Sequence, residues 1–222
     1  MFSFKNGLLV GAALLATAGA ASATTQTFST TFGPTNTDFF NAPLTLSAFD
    51  PSLGTLTSAV LTFSATGNFS GTVTNQATTP QSFQFSETTN LKVNSSISDL
   101  NGLLVQTANA QSYTDLASGA SAAFGPTSNT NSNTFNAPQS DFAAFEGSPI
   151  SVSISTLTGT TILGGGGNIR SSDQTTANGS LSLVYTYTEA VVPTPTGVPE
   201  PASMALLGAG LAGLGLLRRR KA

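Results

Sequence analysis

The sequence predicts an all-β protein, an antiparallel β-sandwich flanked by an N-terminal signal peptide and a single C-terminal membrane helix. Two kinds of observation predict it: apolar residues alternate with hydroxylated ones through the middle of the 222-residue chain, and a short apolar run lies near each end. Serine and threonine account for 28 and 34 residues, and β-branched threonine favours strands. Only 8% of the residues are charged, against a usual share of roughly 25%.

Residues 1–23 are typical of a secretory signal peptide. Lys5 supplies the positive charge, residues 7–18 form a short apolar core, and Ala21 and Ala23 make a small-x-small cleavage site. We therefore expect the mature chain to begin at Thr24. An N-terminal membrane anchor is the alternative, but the apolar run is only about 12 residues long, and a spanning helix needs roughly 20.

Residues 24–190 are predicted to form one domain of about eight to ten strands in two packed sheets. Alternation with a period of two is clearest in residues 181–187, where it places two leucines and two tyrosines on one face. Only residues 98–110 are ambiguous between helix and strand. A disordered Ser/Thr-rich stalk is the alternative, and the sustained alternation of Phe, Leu, Val and Ile opposes it. The other predicted strand segments are 44–49, 55–63, 69–73, 83–93 and 150–154.

Two polar or glycine-rich segments are predicted to connect strands. Residues 125–140 are rich in asparagine, and we expect a long exposed loop there, either a contact surface for polysaccharide or a tolerated insertion. The four glycines at 164–167 are predicted to form a hairpin tip. They do not form a phosphate-binding loop, because no lysine follows them.

This region also contains an imperfect internal sequence repeat. Phe-Gly-Pro-Thr occurs at 32–35 and 124–127, and Phe-Asn-Ala-Pro follows at 40–43 and 135–138. An Ala-Phe-acid triplet then follows at 48–50 and again at 144–146. A duplicated half-sandwich would produce this order, and so would two similarly packed loops that each use a Gly-Pro turn.

The C-terminal segment has four parts in a fixed order. Residues 191–197 form a Pro/Thr linker, and a signal over residues 198–221 begins with the Pro-Glu-Pro triplet of Pro199, Glu200 and Pro201. A predicted transmembrane segment, 202–217, follows. The positive-inside rule keeps the basic cluster behind it in the cytoplasm. That cluster consists of Arg218, Arg219, Arg220 and Lys221.

This order over residues 198–221 resembles the PEP-CTERM sorting signal of Gram-negative bacteria. The resemblance implies that the protein is an exosortase substrate: exported, held transiently at the inner (cytoplasmic) membrane, cleaved near the motif, and released to the cell surface or extracellular matrix. It also implies that Pro199, Glu200 and Pro201 are the residues recognised by an exosortase-type sorting enzyme.

The domain itself resembles a second family. The run FDPSLGTL at 49–56, together with GGGN at 165–168 and VYTYT at 184–188, is similar to the choice-of-anchor E domain. That resemblance spans most of residues 25–190. It implies a β-sandwich surface domain without an assigned enzymatic activity, so no catalytic residues are transferred.

The composition excludes several function classes. The chain has no His and no Cys, which excludes a Ser-His-Asp triad, a thiolate nucleophile and a structural zinc site. Seven Lys and Arg residues are too few for nucleic-acid binding. Between residues 24 and 190 only Lys92 and Arg170 are cationic, against nine carboxylates, so this region carries a net charge of −7. No cofactor is expected.

Calcium is the one metal for which candidate ligands exist. Asp99 and Asn101 present oxygen side chains at alternate positions, and Gly102 supplies a turn. The full D-x-D-x-D-G pattern is missing, however, and solvated Asx turns are the alternative interpretation.

The predicted function is that of an exported, non-enzymatic surface or matrix protein with a structural or adhesive role in exopolysaccharide or biofilm. One alternative is a carbohydrate-binding module, with Tyr113, Tyr185 or Tyr187 exposed for stacking on sugar. A second alternative is a carboxylate-dependent glycoside hydrolase, which needs two acids at a set separation. The acids of this chain occur singly in turn-like sequence, which opposes the hydrolase.

Overall fold

A computed structural model describes residues 22–190 and 206–211. Residues 206–211 are helical, and no helix in these described parts is long and apolar enough to cross a membrane. Residues 22–190 contain three short 3₁₀ helices, at Pro51–Leu53, Gln139–Phe145 and Gly165–Gly167. The strands are β1 (Ala23–Asn36), β2 (Ala42–Leu46), β3 (Gly54–Asn75), β4 (Gln81–Ser95), β5 (Leu104–Leu116), β6 (Ser121–Asn136), β7 (Ile150–Gly164) and β8 (Ile169–Glu189).

The eight strands form two four-stranded antiparallel sheets, so the all-β, two-sheet prediction is confirmed. One sheet has the order β1-β8-β3-β6, and the other has the order β2-β7-β4-β5. This is the strand order of a jelly roll, in which most connections pass from one sheet to the other. At the centre of the first sheet, β3 and β8 pair from Gly54–Glu189 to Asn75–Ile169. The segments 55–63 and 69–73 are therefore parts of one long strand.

The alternation in the sequence corresponds to the two faces of each sheet. In β8 the side chains of Leu181, Leu183, Tyr185 and Tyr187 all point into the sandwich and are buried. Burial of such side chains supplies most of the stabilisation, at about 25 cal/mol per Å² of apolar surface removed from water. The outward positions between them carry Ser, Val and Thr, which suit a solvated sheet face.

The core consists of two apolar clusters separated by a polar belt. Along β4, Phe83 and Phe85 belong to the smaller cluster, while Leu91 and Val93 belong to the larger one. The belt occupies the inward positions between them and comprises Glu87 and Thr89 of β4, Thr107 of β5 and Thr175 of β8, all buried. These residues follow the same period of two as the apolar ones, so alternation alone assigns them to the interior.

Two of the predicted connections are wrong. Residues 121–136 form β6, an edge strand paired with β3, where a loop over 125–140 was expected. The glycines at 164–167 link β7 of one sheet to β8 of the other, so they form a crossover between sheets and not a hairpin tip. Both errors have the same cause: polar or glycine-rich composition favours a loop locally, whereas pairing with a distant strand decides the structure.

The Phe-Gly-Pro-Thr part of the internal repeat corresponds to a β-bulge that occurs twice. Gly33-Pro34 in β1 and Gly125-Pro126 in β6 are both cis peptides, and the register with the neighbouring strand shifts at each of them. Both glycines have φ near +70°, at 75° and 71°. Since β1 and β6 are the two edges of the same sheet, the motif marks equivalent edge positions.

The Ala-Phe-acid part of the internal repeat brings residues 48–50 and 144–146 together. The backbone N–H of Phe49 donates to the carbonyl of Phe145 at 2.8 Å, and Gly147 donates back to Phe49 at 3.0 Å. Both phenylalanine side chains are buried in the larger cluster. The two Ala-Phe-acid triplets thus pair with each other at one end of the sandwich.

Candidate functional site

The residues with the clearest functional pattern lie outside the described parts of the chain. Pro199, Glu200 and Pro201, the basic cluster at 218–221 and Ala21 are all in this category. Of the predicted transmembrane segment 202–217, only residues 206–211 are described. Ala23, the other residue of the predicted cleavage site, is the first residue of β1 and pairs with Thr188. The signal-peptide boundary therefore stays a prediction.

The two calcium candidates occupy the turn between β4 and β5. The Asn101 side-chain oxygen accepts a hydrogen bond from the Ser95 backbone N–H at 3.2 Å, so it holds the turn. Asp99 is exposed in the same turn. Within residues 22–190 and 206–211, no three acidic or other metal-binding side chains are grouped closely enough to hold an ion. Asn101 therefore ties the turn back to the end of β4, six residues earlier in the chain.

The tyrosines are not arranged as a sugar-stacking platform, which corrects that prediction. Tyr185 is fully buried, and its hydroxyl donates to the carbonyls of Ser47 and Phe145 at 3.1 and 3.3 Å. Tyr187 is buried beside it, while the half-buried Tyr113 stacks on a core phenylalanine with ring centroids 5.0 Å apart. Burial raises the pKa of Tyr113 and of Tyr185 above the ordinary phenol value.

Glu87 is the one carboxylic acid fully buried among the described residues. One carboxyl oxygen accepts a hydrogen bond from the Thr175 hydroxyl, and the other has no partner within the described part of the chain. Burial is the main cause that raises the pKa of Glu87, and the negative charges of Asp173 and Asp38 add to it. The neutral acid is consequently favoured, since an isolated buried carboxylate is costly.

Three asparagines of residues 125–140 close one side of the sandwich. Asn129, Asn131 and Asn133 lie opposite buried residues of β3, so they point inward from the edge strand β6 towards the edge strand β5. There they bond to backbone groups that β5 cannot pair with another strand, which protects an otherwise open sheet edge. The bonds join Asn129 Oδ1 to the Ala108 N–H (3.3 Å), Asn131 Nδ2 to the Gln106 carbonyl (3.2 Å) and Asn133 Nδ2 to the Leu104 carbonyl (3.0 Å).

A groove of about 470 Å³ opens where β2, β4 and β7 meet the β4–β5 turn. We call it the amide–hydroxyl groove. Among the described residues that line it none is charged, and most carry a hydroxyl or an amide. Sequence reasoning missed it because its residues come from four separate segments. The lining residues are Pro43, Asn94, Ser95, Ser96, Asn101, Ser151, Val152 and Ser153.

Hydrogen bonds hold two of the lining side chains, Asn94 and Ser153, in place. Asn94 Nδ2 donates to Ser155 Oγ at 2.9 Å and to Asn41 Oδ1 at 3.3 Å. The Asn41 backbone N–H donates to the same Ser155 hydroxyl at 3.0 Å, and Ser153 Oγ donates to Asn41 Oδ1 at 3.4 Å. Donors and acceptors on β4, on β7 and at the residue before β2 are therefore positioned before any ligand arrives.

A comparison with protein families identifies the C-terminal signal. The model of the PEP-CTERM protein-sorting motif matches residues 197–221. The motif marks an exported protein that is sorted by exosortase to the cell envelope or surface, and it implies an exosortase-type partner. The match does not reach residues 25–190, so their resemblance to the choice-of-anchor E domain stays a prediction.

No curated protein matches the chain. Among solved structures, a Bacillus endospore appendage is 12% identical, covering 83% of this chain and 100% of its own, with a TM-score of 0.21. Eiger TNF from S. frugiperda is 8% identical over 77% of this chain and 96% of its own, with a TM-score of 0.27. The mud crab tombus-like virus structure is 10% identical over 93% and 96%, with a TM-score of 0.23. At such scores these similarities carry no functional meaning.

Proposed function

We propose that this protein is an exported, non-enzymatic component of the cell surface or extracellular matrix, with a structural or adhesive role in exopolysaccharide. The observation that carries the proposal is the PEP-CTERM sorting motif at residues 197–221 behind an exportable β-sandwich. On this proposal the signal peptide and the C-terminal segment are both removed, and the protein is held only transiently at the inner membrane.

The charge of the domain is consistent with a role outside the cell. Between residues 24 and 190 the chain carries two cations and nine carboxylates, and this acidic surface favours solubility and repels anionic lipid. The core is built from apolar side chains of both sheets. Because the sequence has no cysteine, the fold does not depend on the redox state of the compartment.

The non-enzymatic part of the proposal is supported by the positions of the acids. Asp50 accepts a hydrogen bond from the Ser52 backbone N–H at 2.9 Å and caps a 3₁₀ helix. Glu189 accepts from the Thr24 hydroxyl at 2.8 Å, and Glu87 is buried in the core. Each of these acids has a structural role, whereas a glycoside hydrolase needs two acids facing one sugar. Polysaccharide hydrolysis that a single Asp or Glu substitution abolishes would overturn this part.

Intact-mass spectrometry of protein recovered outside the producing cells tests the sorting. We expect a species that has lost residues 1–23 and the basic cluster at 218–221. A Glu200→Ala variant should accumulate with its basic cluster in the membrane fraction, while Pro195→Ala, a change in the adjacent linker, should be processed normally. Extracellular recovery of the whole chain ending at Ala222, or equal processing of both variants, would contradict the proposal.

A further inference from the structure

We propose that the amide–hydroxyl groove binds an uncharged polysaccharide through its amide and hydroxyl side chains. This deepens the proposed function, because it names the polymer class that an adhesive surface protein would hold. The groove volume of about 470 Å³ falls within the range of roughly 300–1,000 Å³ that is typical of small-ligand sites.

The chemistry of the lining selects the ligand class. Hydroxyl and amide groups both donate and accept hydrogen bonds, which matches the hydroxyl groups of a sugar. No Asp, Glu, Lys or Arg of the described residues lines the groove, so none of them would pair with a carboxylate, sulfate or ammonium group on a ligand there. The net charge of −7 over residues 24–190 further disfavours polyanions.

Several polar atoms in the groove remain available to a ligand. The Asn101 oxygen holds the turn, so its amide nitrogen is left for another acceptor. Likewise, the amide nitrogen of Asn94 is engaged with Asn41 and Ser155, while its oxygen is left. Ser151, which is exposed on β7, makes no side-chain hydrogen bond among the described residues. These groups sit on paired strands and a closed turn, so little ordering cost attends binding.

The shape favours an extended chain over a single sugar. A second groove of about 470 Å³ shares Ser96 and Ser151 with the first and continues towards Pro149 and Glu146. Two adjoining depressions along one surface provide consecutive subsites for a linear polymer. Glu146 lies in the second groove only, and it would repel an anionic chain.

Lys92 is the cation beside the β4–β5 turn, and it provides the sharpest discrimination. Its side chain passes over Gly102, with Cε 3.8 Å from the position of a Cβ there, beside the Asn101 rim of the groove. An anionic sugar would use this ammonium group, whereas a neutral one would not. Lys92→Ala therefore separates the two ligand classes without changing the groove lining.

Isothermal titration calorimetry on the protein recovered from producing cells tests the proposal. The probes are cellohexaose and maltohexaose as neutral glucans and an alginate hexamer as the anionic one. We expect at least one neutral probe to bind and the alginate not to bind. Ser151→Leu should weaken the neutral interaction at least tenfold, whereas Thr161→Leu, an exposed hydroxyl on the same strand and face outside the groove, should leave it unchanged.

Three outcomes would overturn the inference: no heat with either neutral glucan, equal binding by Ser151→Leu and the parent, or loss of binding in Lys92→Ala. Far-UV circular dichroism of each variant confirms that the sheets are intact. Failure here is distinguishable from failure of the sorting proposal, since the mass of the extracellular protein does not depend on glycan binding.

Discussion

The repeated Gly-Pro bulge allows a quantitative test, because alanine at its glycine meets two separate obstacles. At Gly125, φ is +71°, and an added Cβ would lie 2.2 Å from the Phe69 carbonyl oxygen on β3. At Gly33, φ is +75°, and the Cβ would lie 2.3 Å from the Ala177 oxygen on β8. Gly119 provides a matched control, since its φ is +73° but nothing lies within 4 Å of the added atom.

The expected loss of stability follows from two contributions, the left-handed backbone conformation and the clash of the added Cβ with a backbone oxygen. Placing an alanine in the left-handed region costs roughly 1–2 kcal/mol at all three positions. The clash with a backbone oxygen forces the bulge to move, and overpacking of this kind costs about 1–3 kcal/mol more. We therefore expect Gly33→Ala and Gly125→Ala to lower the free energy of unfolding by about 2–5 kcal/mol, and Gly119→Ala by only about 1–2 kcal/mol.

Urea unfolding of the secreted protein, analysed by linear extrapolation, measures these losses. The entropic effect of replacing glycine in the unfolded chain is common to the three variants and cancels in the comparison. If Gly125→Ala and Gly119→Ala lose the same stability within about 0.5 kcal/mol, the close approach to β3 does not constrain the bulge, and the reasoning is refuted.

Two further predictions concern polar groups of the sandwich. Burial raises the pKa of Glu87 above its ordinary value of 4.5. Between that value and the folded pKa, the folded state holds a proton that the unfolded state releases. The free energy of unfolding therefore falls as the pH rises through this interval, and above it Glu87 adds no further pH dependence. Urea midpoints measured between pH 4 and 9 should show this fall in the parent protein and not in Glu87→Gln. Parallel pH profiles of the two proteins would contradict the role of Glu87. Asn131→Ala removes the 3.2 Å bond to the Gln106 carbonyl and should cost about 0.5–1.5 kcal/mol, while Ser132→Ala, its outward neighbour, should cost less; equal losses would disprove the role of the inward amide.

Sequence reasoning succeeded where the determining physics is local. The alternation in 181–187 assigned four residues of β8 to one face, and all four are buried together. The C-terminal signal was equally legible, because a Pro-Glu-Pro triplet, an apolar run and a basic cluster are recognisable without any partner strand. The loop prediction for residues 125–140 was wrong for the opposite reason. The polarity of this segment indicated a loop, but pairing with β3 makes most of it a strand.

The tyrosines of β8 show that the alternating pattern also predicts which side chains are buried. Alternation placed Tyr185 and Tyr187 on the same face as Leu181 and Leu183, and that face is the interior. The idea of an exposed sugar platform was therefore inconsistent with the pattern that defined the strand. Glu87 shows the converse, since its inward position follows from the same alternation although its ionisable side chain opposes burial.

By itself the sequence determined the all-β class, the apolar faces of the strands and the C-terminal sorting signal, because each depends on residues that are neighbours along the chain. Only the tertiary structure decided which strands pair, that an asparagine-rich segment closes a sheet edge, and that residues from four segments form the amide–hydroxyl groove. The physical reason is that strand pairing joins residues distant in sequence, such as Gly54 and Glu189, and no local pattern specifies the partner.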